Sequence, residues 1–369
     1  MNNEIQFLDL KKITQLHIQE YQNAINDVLE NGWYILGAKT SEFELKFAEF
    51  TGTKYAIGVA NGLDALILSL ISLEIGKDDE VIVPSNTYIA SWLAITNVGA
   101  KVIPVEPNIN TYNLDHTLIE KAITKKTKAI LVVNLYGQAA ELLKIKSICD
   151  KYKLYLIEDN AQSQGAECSG KQAGSFGIVN ATSFYPGKNL GAFGDGGAIT
   201  TNDAELYHKI KTLRNYGSKV KYYNDMIGYN SRLDEIQASI LLIKLKYLKE
   251  ENEYRVKCAD IYNREISKIG DIIVPYISEN CKSIYHIYQI RTSKRNELQE
   301  FLKSKGITTM IHYPLPPHLQ VAYKWLNLKK GDFPISEHIA NTALSLPIGP
   351  HLSINEIETV CESIKSFFN

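Results

Sequence analysis

The chain sets one lysine, Lys188, inside Ser183-Phe184-Tyr185-Pro186-Gly187-Lys188-Asn189-Leu190-Gly191, and one aspartate, Asp159, at the close of the apolar run Leu154-Tyr155-Leu156-Ile157. The lysine follows a strand-like stretch and precedes the glycine-dense segment Gly191 to Gly197, where backbone can approach a flat ligand closely. A lysine amine that loses part of its hydration has a lowered pKa, attacks an aldehyde as a neutral nucleophile, and can carry a proton afterwards. A carboxylate at a strand end can hold a pyridine nitrogen protonated, which makes that ring an electron acceptor. Together the two residue types point to a pyridoxal phosphate site, with Lys188 as the Schiff-base amine and Asp159 as the partner of the ring nitrogen.

Other segments offer what such a cofactor and its substrate need. Asn61-Gly62-Leu63-Asp64-Ala65-Leu66 places a glycine at the head of an apolar helix, whose first unpaired amides suit a phosphate. Taken alone, that motif reads first as a plain N-cap by Asn61. Tyr88, in Ser85-Asn86-Thr87-Tyr88, has a ring able to stack on a heteroaromatic cofactor or to fill the core, as others of the 22 tyrosines do. Arg214-Asn215-Tyr216-Gly217-Ser218-Lys219-Val220-Lys221-Tyr222-Tyr223 gathers cations that either contact a sugar diphosphate or lie solvated in a loop. Ile311-His312-Tyr313-Pro314-Leu315-Pro316-Pro317-His318-Leu319 holds two histidines on a proline-stiffened strand end, lining a sugar pocket or making a rigid turn.

The elements that must position these groups follow from pattern. From Tyr55 to about Thr201, β-rich runs at Glu80 to Pro84, Val102 to Val105, Ala129 to Asn134, Leu154 to Asp159, Ala181 to Tyr185 and Gly197 to Thr200 alternate with helical runs. The helical runs Ala65 to Leu73, Leu118 to Ile123 and Glu141 to Tyr152 serve as crossovers. Alternation of this kind predicts an α/β fold with a mainly parallel sheet between helices. Ligands gather at strand carboxyl ends in such sheets, and Asp159 and Lys188 fall at two of them. Helical periodicity over 15–31 and 40–51, broken by Gly32 and Gly37, predicts an N-terminal arm. A charged helix from about Lys244 to Ile266 leads into a smaller α+β lobe, giving expected domains 1–247 and 248–369.

Composition bounds the partners. The 40 basic and 41 acidic residues leave a net charge of −1, so no overall field favours nucleic acid or an anionic membrane. The five cysteines are odd in number and lack CxxC spacing, which argues against a zinc site and against a complete disulfide framework, and suits a reducing cytoplasm. No basic N-terminal region with an apolar core and no apolar run near ~18 residues indicates export or membrane spanning.

Three motifs in order, Glu158-Asp159-Asn160-Ala161-Gln162-Ser163-Gln164-Gly165-Ala166, Ser183 to Leu190 with Gly194-Asp195-Gly196-Gly197, and Gly228-Tyr229-Asn230-Ser231-Arg232-Leu233-Asp234-Glu235-Ile236-Gln237-Ala238, resemble the DegT/DnrJ/EryC1/StrS nucleotide-sugar aminotransferases. The opening Phe7-Leu8-Asp9-Leu10 is similar as well. The resemblance implies a fold-type I homodimer with shared sites and pyridoxal 5'-phosphate as cofactor. It implies that Gln162 bonds the ring hydroxyl, that Gly62, Leu63 and Ser183 hold the phosphate, that Tyr88 covers the ring, and that Asn230 reaches the phosphate from the neighbouring subunit. Tyr185, Lys219, Lys221, His312 and His318 fall on the substrate side. The implied reaction moves an amino group from L-glutamate to a nucleotide-linked keto sugar. The Ala60 to Leu66 and His312 to His318 segments are most similar to the branch acting at C3 of dTDP-3-keto-6-deoxyhexoses, the alternatives being C4 or UDP-sugar chemistry in the same family, or a catalytically inactive regulatory or binding protein that keeps the fold and cofactor. Asn160 and Gln164 depart from the commoner alanine and histidine, and are expected to reshape the sugar side.

Overall fold

Between Tyr55 and Thr201 the β-rich runs assemble into one seven-stranded sheet in the computed structural model, which describes residues 4–369. Helices α1 (Leu10–Gln15), α2 (Ile18–Asn31) and α3 (Ala38–Thr51) precede it. There follow β1 (Tyr55–Val59), α4 (Gly62–Ser72), β2 (Glu80–Pro84), α5 (Ile89–Asn97), β3 (Lys101–Val105), α6 (His116–Ala122), β4 (Thr127–Val133), α7 (Leu142–Tyr152) and β5 (Tyr155–Asp159). The short β6 (Glu167–Cys168) and β7 (Lys171–Gln172) lead to β8 (Val179–Ser183) and β9 (Gly197–Thr201). The strand order is β1-β9-β8-β5-β4-β2-β3. Strands β8, β5, β4, β2 and β3 run parallel, and β9 runs against both β8 and β1. Strand β2 is buried along its whole length, because helices cover both faces of the parallel region. Parallel neighbours need crossovers, and α5, α6 and α7 supply them.

The second half contains α8 (Ala204–Leu213), the hairpin β10 (Ser218–Val220) and β11 (Tyr223–Asn224), and the long α9 (Glu235–Ile266). Then come β12 (Cys281–Lys282), β13 (Tyr288–Arg291), α10 (Arg295–Ser304), α11 (Pro334–Thr342), β14 (Ala343–Leu346) and α12 (Ile354–Phe368). Strand β13 pairs with β14, and Tyr262, Ile290, Leu298, Leu344 and Ile357 share one core there. The expected boundary at 247/248 lies inside α9. Leu248 still packs with Phe43 and Phe47 of the arm, whereas Cys258 and Tyr262 join the C-terminal core.

Helix α9 begins at Glu235, earlier than the charge pattern suggested, because Glu235 has a task of its own. Helix α3 has no side-chain cap on its own N-terminus. The Glu235 carboxylate accepts from the amides of Gly37, Lys39 and Thr40 at 2.8, 2.9 and 2.8 Å, satisfying donors that would otherwise be orphaned. A Cβ at position 37 would come within 2.6 Å of that carboxylate, so glycine is required there. Arg214, grouped above with cations for a diphosphate, is instead a buried strut. Its guanidinium donates to Gly58 O at 2.6 Å and to the Glu44 carboxylate. The Ser231 hydroxyl accepts from Ala60 N at 3.1 Å, and together these contacts fix the segment Gly228 to Glu235 against the sheet edge.

Candidate active site

Successive residues of a strand point to opposite faces, so Glu158 and Asp159 part company at the end of β5. Glu158 is wholly buried and accepts from the amides of Gly174, Phe176 and Gly177 at 2.8, 2.7 and 3.0 Å and from Asn134 Nδ2 at 2.9 Å. It staples the loop that feeds β8. Asp159 faces the site. Its Oδ2 accepts from Ser91 Oγ at 2.9 Å and its Oδ1 from Ala161 N at 3.1 Å. Burial pushes its pKa up, while Ser91, the Ala161 amide and the Lys188 charge pull the other way.

Lys188 lies beyond the end of β8 in a tight loop. Its amide donates to Tyr185 O at 2.8 Å, and a Cβ at Gly191 would sit 2.4 Å from Pro186 O, so only glycine lets the loop close. The next residue anchors it. Asn189 donates to Asn252 Oδ1 at 2.8 Å, and its Oδ1 lies 3.0 Å from His286 Nδ1. Desolvation lowers the Lys188 amine to about 8, with Asp159 acting in the opposite sense. The ammonium is therefore dominant below about pH 8 and the nucleophilic amine above it. We expect the rate at which Lys188 of cofactor-free protein captures pyridoxal phosphate to rise with pH and level off above about 8. An ordinary lysine would level off above about 10.4. Stopped-flow absorbance from about pH 6 to about pH 11 checks this, because those limits bracket both midpoints.

The head of α4 meets β8 at the same edge. Asn61 Oδ1 accepts from Asp64 N at 2.8 Å and Asn61 O from Ala65 N at 3.1 Å, leaving the Gly62 and Leu63 amides with no protein acceptor among the described residues. The N-cap and the anion cradle are thus both present. A Cβ at Gly62 would fall 2.5 Å from Ser183 Cβ and 3.0 Å from its hydroxyl, so the helix end and Ser183 form one cradle. Gly62→Ala forces them apart. Overpacking of this kind costs about 1–3 kcal/mol, so cofactor affinity should fall by about fivefold or more. An absorbance titration measures this, with a thermal melt to confirm the fold.

On the ring side, Tyr88 is 54% exposed and its ring lies 5.3 Å from that of Tyr313. Gln162 accepts from Tyr136 N at 2.9 Å and donates to Tyr313 Oη at 3.0 Å. A cavity of about 260 Å³ opens beside them, lined by Gln162, Tyr185, Lys188, Arg255, His286 and His312 among others. Burial holds His312 down to about 4 and His286 well below the usual histidine range, so both imidazoles are neutral near pH 7. His312 Nδ1 lies 2.8 Å from Ser345 Oγ.

A desolvated amine, a strand-end carboxylate, free helix-head amides beside a hydroxyl, and an exposed tyrosine ring form a donor set that fits pyridoxal phosphate. Comparison with known proteins agrees. The model of the DegT/DnrJ/EryC1/StrS aminotransferase family matches residues 15–365. The chain belongs to this family. It is 52% identical to a dTDP-3-amino-3,6-dideoxy-alpha-D-galactopyranose transaminase of Aneurinibacillus thermoaerophilus, over 98% of this chain and 99% of that protein. The fold is that of DesV from Streptomyces venezuelae, solved with a ketimine intermediate. The TM-score is 0.98 at 43% identity, covering 99% of both chains. NtdA from Bacillus subtilis, solved with bound PMP, superimposes with a TM-score of 0.92 at 30% identity, covering 100% of this chain and 87% of that one. The chain is a pyridoxal phosphate-dependent sugar aminotransferase of fold-type I.

Within this aminotransferase the remaining expected residues fall in different places. Tyr185 and His312 line the cavity. His318 does not: its side chain is buried, Nε2 lies 3.1 Å from Glu337 Oε1, and its ring packs on Phe333. The rigid turn, not the sugar pocket, describes it. Lys219 and Lys221 stand exposed on the β10–β11 hairpin and do not line the cavity. Lys219 is 3.6 Å from Asp225, and the Lys221 ammonium lies over the Tyr222 ring. Asn230 is exposed and bridges to Asn215, without hydrogen-bonding Gly62 or Ser183 of its own chain. Asn160 and Gln164 are buried and do not face the sugar side. Asn160 accepts from Ser163 Oγ, and Gln164 Nε2 donates to Ala161 O and Ser183 O at 3.2 and 3.1 Å, holding the end of β8 in place. Sequence reasoning missed Ser91, Tyr313, Arg255 and His286. Ser91 lies three residues beyond Tyr88 at helical spacing, a usable signal. Arg255 and His286 carry no local signal at all.

Proposed function

We propose that this enzyme transfers the amino group of L-glutamate to C3 of a dTDP-3-keto-6-deoxyhexose, giving a dTDP-3-amino-3,6-dideoxyhexose. The observation that carries the reaction class is the desolvated Lys188 amine facing Asp159 across the carboxyl ends of β8 and β5. The choice of substrate rests on the identity to the Aneurinibacillus transaminase. When bound, pyridoxal phosphate supplies an electron-withdrawing ring that stabilises the electron pair left when a C–H bond beside nitrogen breaks. Asp159 keeps the ring nitrogen protonated, and Ser91 and the Ala161 amide orient that carboxylate. The Gly62 and Leu63 amides and the Ser183 hydroxyl hold the phosphate, Tyr88 covers the ring face, and Gln162, braced by Tyr313, reaches the ring hydroxyl. In the donor half-reaction Lys188 Nζ takes the proton from glutamate Cα. In the acceptor half-reaction it delivers a proton to sugar C3. Neutral His312 and Tyr185 face the sugar.

The assembly we propose is a homodimer in which Asn230, with the hairpin bearing Lys219 and Lys221, completes the partner's site. The exposure of these residues and of Trp33, Tyr222, Tyr223 and Ile227 supports this reading. Mixing Lys188→Ala and Asn230→Ala subunits, each impaired alone, should restore roughly a quarter of wild-type activity, the share of sites that random pairing leaves intact. No gain above the separate variants would remove Asn230 from the partner's site. No helix among the described residues is long and apolar enough to cross a membrane, and we place the enzyme in the cytoplasm with its nucleotide-linked substrate. Turnover of glutamate with dTDP-3-keto, dTDP-4-keto and UDP-linked keto sugars, run side by side, tests the substrate. The dTDP-3-keto sugar should give the highest kcat/KM, and preference for either other class would replace it.

A further inference from the structure

Outside the seven-stranded sheet, β6 and β12 set two thiols side by side. Cys281 and Cys168 are direct partners on antiparallel strands, and the adjacent pair Lys282 and Glu167 forms an ion pair at 2.8 Å. The Cys281 amide is spent on Ser278 O at 2.9 Å, while the strands close one residue further along, from Ser169 N to Asn280 O at 2.6 Å. Cys168 and Cys281 therefore occupy a non-hydrogen-bonded position of the ladder. There the Cα atoms stand about 4.5 Å apart and side chains approach most closely. That separation lies within the roughly 4.4–6.8 Å that a disulfide spans without backbone movement.

Both cysteines line one cavity of about 570 Å³, so a small oxidant has a route to them. Cys168 also packs with Leu142 at the head of α7, and the amides of Leu142 and Leu143 there favour its ionised form. The neighbouring Cys281 thiol contributes most to drawing Cys168 down, with Ser169 and those amides adding to it against burial. The other three cysteines differ. Cys149, Cys258 and Cys361 are buried like Cys168, but in them burial prevails and pushes the thiols up to about 12, 11 and 12. Thiolate character combined with access is what makes a cysteine reactive.

We propose that Cys168 and Cys281, facing each other across β6 and β12 and lining one cavity, form a reversible disulfide, with Cys168 as the attacking sulfur and a peroxide as the oxidant. The Cys168 sulfur attacks one oxygen of hydrogen peroxide. The O–O bond breaks, hydroxide leaves and is protonated to water, and Cys168 becomes a sulfenic acid. Cys281 sulfur then attacks Cys168 sulfur. An S–S bond forms, the S–O bond breaks, and the departing hydroxide takes the Cys281 proton as a second water. Two thiols are oxidised and one peroxide is reduced, and a dithiol reductant reverses the step. Transient bridges of this kind are the ones a reducing compartment admits.

The bridge would clamp the start of a segment that ends in the active site. From Cys281 the chain runs through Ile284, whose amide donates to Gly137 O at 2.9 Å, to His286, which contacts Asn189 beside Lys188. Full-length protein exposed to hydrogen peroxide, alkylated and digested without reductant tests the proposal by mass spectrometry. The expected product is a Cys168–Cys281 peptide pair two hydrogen masses lighter than its parts, lost on treatment with dithiothreitol. In Cys281→Ser the pair is absent and Cys168 is trapped as a dimedone adduct. Separately alkylated Cys168 and Cys281 in oxidised wild-type protein would overturn the proposal. So would over-oxidation of Cys168 with no bridge, or a bridge between two molecules. The wild-type map decides even where the variant fails to fold.

Discussion

Lys188→Ala is expected to lower kcat by at least about 10⁴-fold, because one amine serves both as the nucleophile that carries the cofactor and as the base that moves the proton. Neither task has a substitute nearby. His286 and His312 share the cavity, but burial keeps both well below the normal imidazole range and the Nδ1 atoms are engaged with Asn189 and Ser345. Cofactor binding should survive in weakened, non-covalent form, since Gly62, Leu63, Ser183 and Tyr88 come from α4, β8 and the head of α5. Two readouts separate this outcome from misfolding. Borohydride should no longer fix the cofactor to the protein, and the thermal melt should stay near wild type. Retention of more than about a hundredth of wild-type turnover would contradict the role of Lys188, since general acid–base catalysis alone accounts for 10²–10⁴-fold.

Asp159→Asn should lower kcat by on the order of 10²–10³-fold, the usual loss when one preorganised electrostatic partner is removed. The substitution is nearly isosteric. Asparagine Oδ1 still accepts from Ala161 N, and its amide can donate to Ser91 Oγ where the carboxylate accepted, so the packing of β5 survives. The charge does not. Asp159 is the group that raises the Lys188 pKa against desolvation. Removing it should therefore move the midpoint of cofactor capture below about 8, toward lower pH. A purely structural role for Asp159 would leave that midpoint where it is while lowering the melting temperature. Measuring kcat, the capture midpoint and the melt on one variant distinguishes the two.

Local pattern carried much of this site, and the reason is visible in particular elements. Strand β2 runs from Glu80 to Pro84 as its composition suggests, because a run buried on both faces has only apolar choices. The placement of Asp159 and Lys188 was legible because Asp159 closes one such run and Lys188 follows another within five residues of Ser183. Helix α5 was not, since Ile89-Ala-Ser-Trp-Leu-Ala-Ile-Thr-Asn97 is apolar nearly all round and its period is hidden. His312 and His318 look alike in sequence. They separate only when Glu337, nineteen residues from His318, takes that ring into the core. The Gln162–Tyr313 contact spans 151 residues, and no spacing rule reaches that far. Asn160 and Gln164 were expected to reshape the sugar side because they depart from the commoner residues of their motif, yet both turn inward, Asn160 to Ser163 and Gln164 to the end of β8. A motif shared by neighbours in sequence does not fix which face each one meets.

The central claim is the position at which nitrogen arrives. Turnover of ¹⁵N-labelled L-glutamate with freshly generated dTDP-3-keto-6-deoxyhexose, followed by NMR of the product, locates it directly. A ¹⁵N nucleus coupled to the C3 proton is the predicted result; nitrogen at C4, or no labelled sugar at all while the enzyme still consumes glutamate with another keto sugar, would contradict it.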